Sequence, residues 1–308
     1  MRIRNREAQD LLGHLPVRKK NANKSHGGRL WIIAGSGRFP GAAILASAAA
    51  ARIGAGYVGL SMLGGDKSAE PFWVKAPDLI ALPATTKTLT EFTPSAVAIG
   101  PGIGRSRTAQ ETARKILRRL EKQTETLVVV DADGLRALGR APLPPHWILT
   151  PHSGELAHLL GWPVGKVDGD REAAVEMAQQ KFGCIVVLKG HGTLIASAFV
   201  AKRASKRSSP WRSTVFRNST GNSALAKAGT GDVLTGIIAG LLAQKVEPLY
   251  AARLGVWLHG ELADRWVNSG RDQLSLMASD LLADLPLALA EARAAKSRAV
   301  GSRAVGSR

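Results

Sequence analysis

Residues 30–60, LWIIAGSGRFPGAAILASAAAARIGAGYVGL, hold a complete β-α-β unit. Leu30–Ala34 is a short apolar run that reads as a buried strand. A glycine loop follows, then an alanine-rich helix over Ala42–Ile53, then a second apolar run at Tyr57–Leu60. Two strands joined through a helix lie parallel in one sheet. The same alternation continues, with strands predicted at Leu79–Leu82, Ala96–Ile99, Leu127–Val130, Trp147–Leu149 and Ile185–Leu188. Helices fit Thr108–Gln123, Ser153–Leu160, Asp170–Phe182, Val233–Ala243 and Leu249–Asn268. Thr193–Ala198 and Thr214–Arg217 read as a hairpin arm. A last helix, Ala278–Ala295, is expected to break at Pro286. The pattern defines an α/β protein with a central, mostly parallel sheet flanked by helices on both faces. No linker separates two cores, so residues 24–295 read as one domain. Residues 1–23 form a basic arm, and 296–308 a repeat tail with nothing to pack, expected to be disordered.

The bulk composition narrows the function. With 308 residues, 45% of them hydrophobic, the chain can bury a sizeable core. One cysteine, Cys184, excludes an internal disulfide and a multi-cysteine metal site. No apolar run is long enough to span a membrane and the N-terminus lacks a signal-peptide stretch, so a cytoplasmic protein with no membrane partner is expected. The net charge of +18 makes nucleic acid the competing partner. Its charges cluster in the N-terminal arm, in Arg105–Lys122, in Lys202–Arg217 and beyond Arg293. The second cluster reads as the solvated face of a helix whose Ala113, Ile116, Leu117 and Leu120 point inward. None of the clusters interleaves several aromatics, and no nucleic-acid-binding motif appears, so nucleic acid is not the expected partner.

Motifs of glycine or acid stand at the predicted strand ends. Gly35-Ser36-Gly37-Arg38-Phe39-Pro40-Gly41 imitates a dinucleotide fingerprint, but the next strand, Tyr57-Val58-Gly59-Leu60-Ser61, ends without the required acid. No Gly-Lys-Ser/Thr follows, which excludes a P-loop. Ile99-Gly100-Pro101-Gly102-Ile103-Gly104 leaves bare backbone where open parallel sheets bind ligands. Asp131 and Asp133 end one strand as candidate pocket residues. His152 and Glu155 follow another at a helix start, where Ser153 and Glu155 could equally be a cap and a first-turn acid. Lys189-Gly190-His191-Gly192-Thr193 closes a third and suits nucleotide phosphates.

The strongest site signal is residues 218–244, NSTGNSALAKAGTGDVLTGIIAGLLAQ. A glycine loop leads into a helix beginning near Asp232. Positive-φ glycines, unpaired helix N–H groups and the helix dipole together make a phosphate cradle. An acid inside such a cradle either caps the helix or takes a proton from a hydroxyl that receives a phosphoryl group. The dense polar loop before it, Asn218, Thr220, Gly221 and Asn222, favours a site.

These residues, in this order, resemble the NAD(P)H-hydrate dehydratase family of the ribokinase-like superfamily. The match covers about residues 24–290 and runs through NKSHGGRLWIIAGS, PGAAILASAAAARIGAGYV, AIGPGIG, VVVDADGL, ILTPHSGEL, VVLKGHGT, the 218–244 stretch and GVWLHGELAD. The resemblance implies a ribokinase-like fold and repair of hydrated NADH or NADPH. The hydroxyl on the reduced ring would be phosphorylated by ADP, or by ATP as other members use, and phosphate would then leave. It implies Asp232 as the base, with Gly229 and Gly231 holding the migrating phosphoryl group. Lys189, Gly190, His191, Gly192, Thr193 and Gly231 match nucleotide-binding positions. Ala42, Gly104, His152 and Asp232 match positions contacting the hydrated cofactor. Glu155 matches a glutamate that orients Mg²⁺ through water. The resemblance also implies a homo-oligomer, a tetramer in related bacterial proteins, and a separate NAD(P)H-hydrate epimerase in the same pathway.

The chain departs from the family pattern at Ser153 and Ser223, where proline is usual, and in the basic stretch AKRASKRSSPWRSTVFR before Asn218. Two other readings stay open. A small-alcohol or vitamin-precursor kinase of the same superfamily would use the same cradle and base, although TPHSGE and PGIG argue against it. A basic nucleic-acid-binding protein on a degenerate kinase fold is opposed by intact Asp232, His152 and Lys189.

Overall fold

The computed structural model describes residues 6–18, 20–63, 76–139, 142–199 and 212–305. Most of the basic stretch 201–217 thus lies outside the described residues. Among the described residues nine strands form one sheet: β1 (Arg29–Ile33), β2 (Tyr57–Ser61), β3 (Ile80–Ala81), β4 (Ala96–Ile99), β5 (Leu127–Val130), β6 (Ile148–Leu149), β7 (Ile185–Leu188), β8 (Leu194–Phe199) and β9 (Arg212–Arg217). Their order is β3-β2-β1-β4-β5-β6-β7-β8-β9. Every pair from β3 through β7 is parallel, and β7–β8 and β8–β9 are antiparallel. The alternation read at 30–60 therefore sets the sheet, and the hairpin arm extends one edge of it.

The pleat divides the core in two. Along β1, Leu30 and Ile32 point to one face, and Trp31 and Ile33 to the other, all fully buried. The first face carries helices Pro40–Ile53, Thr230–Ala243, Pro248–Asn268 and Ala278–Val305; the second carries Arg107–Leu120, Ser153–Leu160 and Arg171–Phe182. A buried polar relay crosses the second face: the Trp31 indole donates to Ser61 Oγ at 2.8 Å, which donates to the Leu82 carbonyl at 2.8 Å. On Arg107–Leu120, Ala113, Ile116, Leu117 and Leu120 are buried as expected, which leaves its basic residues outward.

The helix that follows the cradle is packed against Pro40–Ile53 at very short range. A Cβ at Gly236 would lie 2.1 Å from the Ala46 carbonyl oxygen, and one at Gly240 2.3 Å from Ile53 Cγ2. Glycines there are a packing requirement, and the same helix also lies against β1, β4 and β5.

Arg6–Gly13 is a helix, and Leu11, Leu12 and Leu15 are buried in the first-face core. The last helix, expected to break at Pro286, passes through it and runs to Val305. Proline removes one N–H, but Leu281 and Leu285 before it and Ala288, Leu289 and Ala292 after it share the buried side and hold the register. Among the described residues no helix is long and apolar enough to cross a membrane.

Candidate active site

Parallel strands deliver all the strand-end motifs to one edge. Backbone hydrogen bonds tie them to each other: Gly35 N to Pro101 O at 2.7 Å, Asp131 N to Ile99 O at 3.1 Å, Thr150 N to Val130 O at 3.1 Å and Lys189 N to Pro151 O at 2.8 Å. The site helix, Thr230–Ala243, starts above this edge. Gly229 is its N-cap with φ 89°, a left-handed geometry that favours glycine. Thr230 Oγ1 closes the preceding loop through the carbonyls of Leu225 (2.8 Å) and Lys227 (2.9 Å).

Asp232 stands in the first turn and does not cap the helix. Burial pushes its carboxyl up to about 6, and the neighbouring Asp131 adds to the rise while Lys189 opposes it. Lys189 is the cation of the cluster. Its Nζ lies 2.5 Å from Asp131 Oδ1 and 3.9 Å from Glu155 Oε2, and 3.7 Å from where a Cβ on Gly231 would stand. Burial pulls the lysine pKa down, but Asp131, Glu155 and Asp232 together outweigh burial and leave it raised. Asp131, 1% exposed, also accepts the Thr235 hydroxyl at 2.6 Å, so it belongs to the ionic centre. Asp133 faces elsewhere: it accepts Gly104 N at 3.2 Å and pairs with Arg105 at 3.2 Å. The two strand-end acids thus divide, one in the Lys189–Thr235 cluster and one bracing a glycine loop.

His152 is the helix cap that the sequence suggested Ser153 to be. Its Nδ1 accepts from the backbone of Gly154 (3.0 Å) and Glu155 (3.3 Å), while Glu155 Oε2 accepts His152 N at 2.9 Å. An imidazole Nδ1 that accepts two N–H bonds carries no proton, which places the neutral ring's hydrogen on Nε2. Ser153 Oγ instead accepts from the Arg171 guanidinium at 3.2 Å. Ala42 and Gly104 lie beside the first glycine loops. Gly102 and Gly104 have φ of 64° and 81°, Ser36 Oγ donates to Gly102 O, and a Cβ at Gly102 would come within 2.7 Å of Ala42 Cβ.

A cavity of about 510 Å³ opens on the far side of Gly231, within the size range of small-molecule sites. Lys189, Gly190, His191, Gly192, Thr193 and Gly231, the six residues that the resemblance assigns to the nucleotide, all line it. Asp232, Gly229, Ala42, Gly104 and His152 do not. The polar loop, from Asn218 to Ser223, forms another wall, and Leu225, Leu234 and Val256 an apolar one. Sequence reasoning missed His259 at the back of the cavity. Burial holds it down at about 4, and its Nε2 sits 2.9 Å from Thr230 O. A backbone carbonyl only accepts, so the neutral ring donates from Nε2 and fixes the first turn of the site helix. It also missed Asp264, which holds the 218–222 loop.

A glycine-led helix N-terminus, an acid with a raised pKa, a neighbouring lysine and a cavity of small-molecule size thus meet at one sheet edge of an α/β fold. The comparisons make this specific. The family model for NAD(P)H-hydrate dehydratase matches residues 30–286, and the chain belongs to that family. It is 37% identical over 274 residues to the ADP-dependent (S)-NAD(P)H-hydrate dehydratase of Neisseria meningitidis serogroup B, covering 86% of each chain. It is 35% identical over 280 residues to the bifunctional NAD(P)H-hydrate repair enzyme Nnr of Coxiella burnetii, covering 88% of this chain and 52% of that protein. The chain thus spans about half the length of the bifunctional relatives it matches. Its fold is that of the Bacillus subtilis ADP/ATP-dependent NAD(P)H-hydrate dehydratase co-crystallized with ATP/Mg²⁺, with TM-score 0.78, 30% identity, and coverage of 92% of this chain and 97% of that one.

Proposed function

We propose that the chain is an ADP-dependent (S)-NAD(P)H-hydrate dehydratase, with ATP as an alternative donor. The observation that carries the proposal is Asp232: a half-buried acid with its pKa raised to about 6, at a glycine-led helix start, beside Lys189 and the cavity. At neutral pH such a group is mostly ionised yet more basic than an ordinary aspartate, the balance a general base requires. Asp232 takes the proton of the ring hydroxyl. The hydroxyl oxygen then attacks the terminal phosphorus of a nucleotide held by Lys189, Gly190, His191, Gly192, Thr193 and Gly231. The N–H groups at Gly229–Gly231 and the helix dipole stabilise the charge on the moving phosphoryl group. Hydroxide is a poor leaving group and phosphate a good one, so the ester expels phosphate with the push of the ring nitrogen, and loss of a proton from the adjacent ring carbon to water restores the reduced nicotinamide. Ala42, Gly104 and His152 are proposed as the contacts to the hydrated ring's dinucleotide.

Among the described residues no three metal-ligating side chains gather. Mg²⁺ commonly keeps its waters and binds through substrate phosphates with one or two carboxylates, so this donor set fits an ion carried in with the nucleotide. Glu155 is proposed as the carboxylate toward its water shell, and bound Mg²⁺ would neutralise phosphate charge. The proposal extends to a cytoplasmic homo-oligomer, on the family resemblance alone. Product analysis after incubation with hydrated NADH and ADP tests the function. Inorganic phosphate with restored NADH is expected; a stable phosphate ester would instead place the chain among the small-alcohol kinases.

A further inference from the structure

The wall of the cavity formed by residues 218–222 carries its own fastening. Three hydrogen bonds tie this loop to the helix Pro248–Asn268. Thr220 Oγ1 donates to Trp257 O at 2.9 Å, Gly221 N donates to Asp264 Oδ2 at 2.8 Å, and Asn222 Nδ2 donates to Asp264 Oδ1 at 2.9 Å. Gly260 makes the approach possible, because a Cβ there would fall 2.3 Å from Thr220 Oγ1. Gly221 is in the left-handed region with φ 98°, which aims its N–H at the carboxylate. The amide oxygen of Asn222 caps Ala224 N at 3.0 Å, so that side chain is used at both ends.

Asp264 is notable for what it does not pair with. Its neighbour Arg265 is committed to Asp284 at 2.8 Å and Glu291 at 2.7 Å, and among the described residues no cation lies within salt-bridge range of Asp264. Both carboxylate oxygens are spent on the loop. A half-buried carboxylate whose two oxygens are matched to one backbone N–H and one amide is a geometric clamp. Charged acceptors make stronger hydrogen bonds than neutral ones.

We infer that Asp264 is a positioning residue for the nucleotide, acting through Gly221 and Asn222 to hold one wall of the cavity in its binding shape. The inference rests on the reading of that cavity as the nucleotide site. Asp264 holds Gly221 and Asn222, which line the cavity while Asp232 does not, so its effect falls on nucleotide affinity and not on the proton transfer at Asp232.

Four proteins test this by calorimetric titration with ADP: wild type, Asp264→Asn, Asn222→Asp and the double variant. Asp264→Asn sets two amide donors against each other and is expected to weaken ADP binding about tenfold or more. KM for the nucleotide should rise to match, with kcat at saturating nucleotide kept within about threefold and the pH inflection of Asp232 unmoved. The double variant reverses the polarity of the pair. The amide introduced on the helix donates to the carboxylate introduced on the loop, whose second oxygen still caps Ala224. The oxygen of the new amide still accepts Gly221 N. Recovery of ADP binding to within about threefold of wild type is expected. Wild-type affinity in folded Asp264→Asn would overturn the inference. So would a double variant as weak as the single one, because a merely structural carboxylate is not rescued by exchanging donor and acceptor. Failure of the wild-type protein to bind ADP would overturn the nucleotide reading itself, a separate result.

Discussion

Lys189 Nζ and Asp131 Oδ1 are 2.5 Å apart, and the other oxygen of Asp131 holds the Thr235 hydroxyl at 2.6 Å. Lys189 is therefore claimed by an acid buried more deeply than Asp232. This arrangement leaves Asp232 under-neutralised, and burial raises its pKa to about 6. The cluster thus has an acid of raised pKa at one end and a cation beside Gly231 at the other.

Replacing Asp232 by Asn should remove turnover, by about a thousandfold or more, while ADP still binds. Steady-state rates with parallel ADP titrations check this. Loss of ADP binding in a folded variant would make Asp232 a positional residue and not the base.

The same variant should be more stable than wild type at neutral pH. The folded pKa of Asp232 is raised above its ordinary value of 3.8, so its favourable contribution is complete below about pH 4 and is lost as pH rises through about 6. Above that, Asp232→Asn escapes a penalty on the order of 2–3 kcal/mol. Urea midpoints at pH 4 and pH 7.5 should diverge, with the gain confined to the higher pH.

The pH profile of kcat/KM should rise about tenfold per unit below an inflection near 6 and flatten above it, since only ionised Asp232 accepts a proton. Asp131→Asn should move that inflection down, because the Asp131 charge helps to raise it. It should also cost about 3 kcal/mol of stability by removing the closest partner of a mostly buried lysine. An unmoved inflection would show that Asp131 does not tune the base.

Much of this was legible because fully buried parallel strands are short apolar runs, and motifs such as Asp131, His152 and Lys189 follow them directly. Side-chain direction was not legible. Asp131 and Asp133 look equivalent in sequence, but one faces Thr235 and Lys189 and the other Gly104 and Arg105. His152 caps a helix because its Nδ1 meets two backbone N–H groups, a role normally signalled by Ser, Thr, Asp or Asn. The first helix hid in a basic segment, its signal reduced to Leu11, Leu12 and Leu15. Asp264 was invisible because its partners, Gly221 and Asn222, lie far away in sequence.

Gly236→Ala should destabilise by about 1–3 kcal/mol or more, because the added methyl meets the Ala46 carbonyl oxygen. Gly229→Ala adds a left-handed backbone penalty and crowds Leu45 Cδ1, at 2.7 Å from the new Cβ. Denaturant midpoints measure both. A Gly236→Ala protein as stable as wild type would contradict the close helix contact described above.

The central claim is that this site turns hydrated NADH back into NADH at the expense of a nucleotide. The direct measurement is the near-ultraviolet absorbance of the reduced nicotinamide ring after adding the protein to hydrated NADH and Mg²⁺, with ADP, with ATP and with neither. A rise that requires a nucleotide, and is larger with ADP, is the predicted result. No rise with either nucleotide from folded protein would contradict the account.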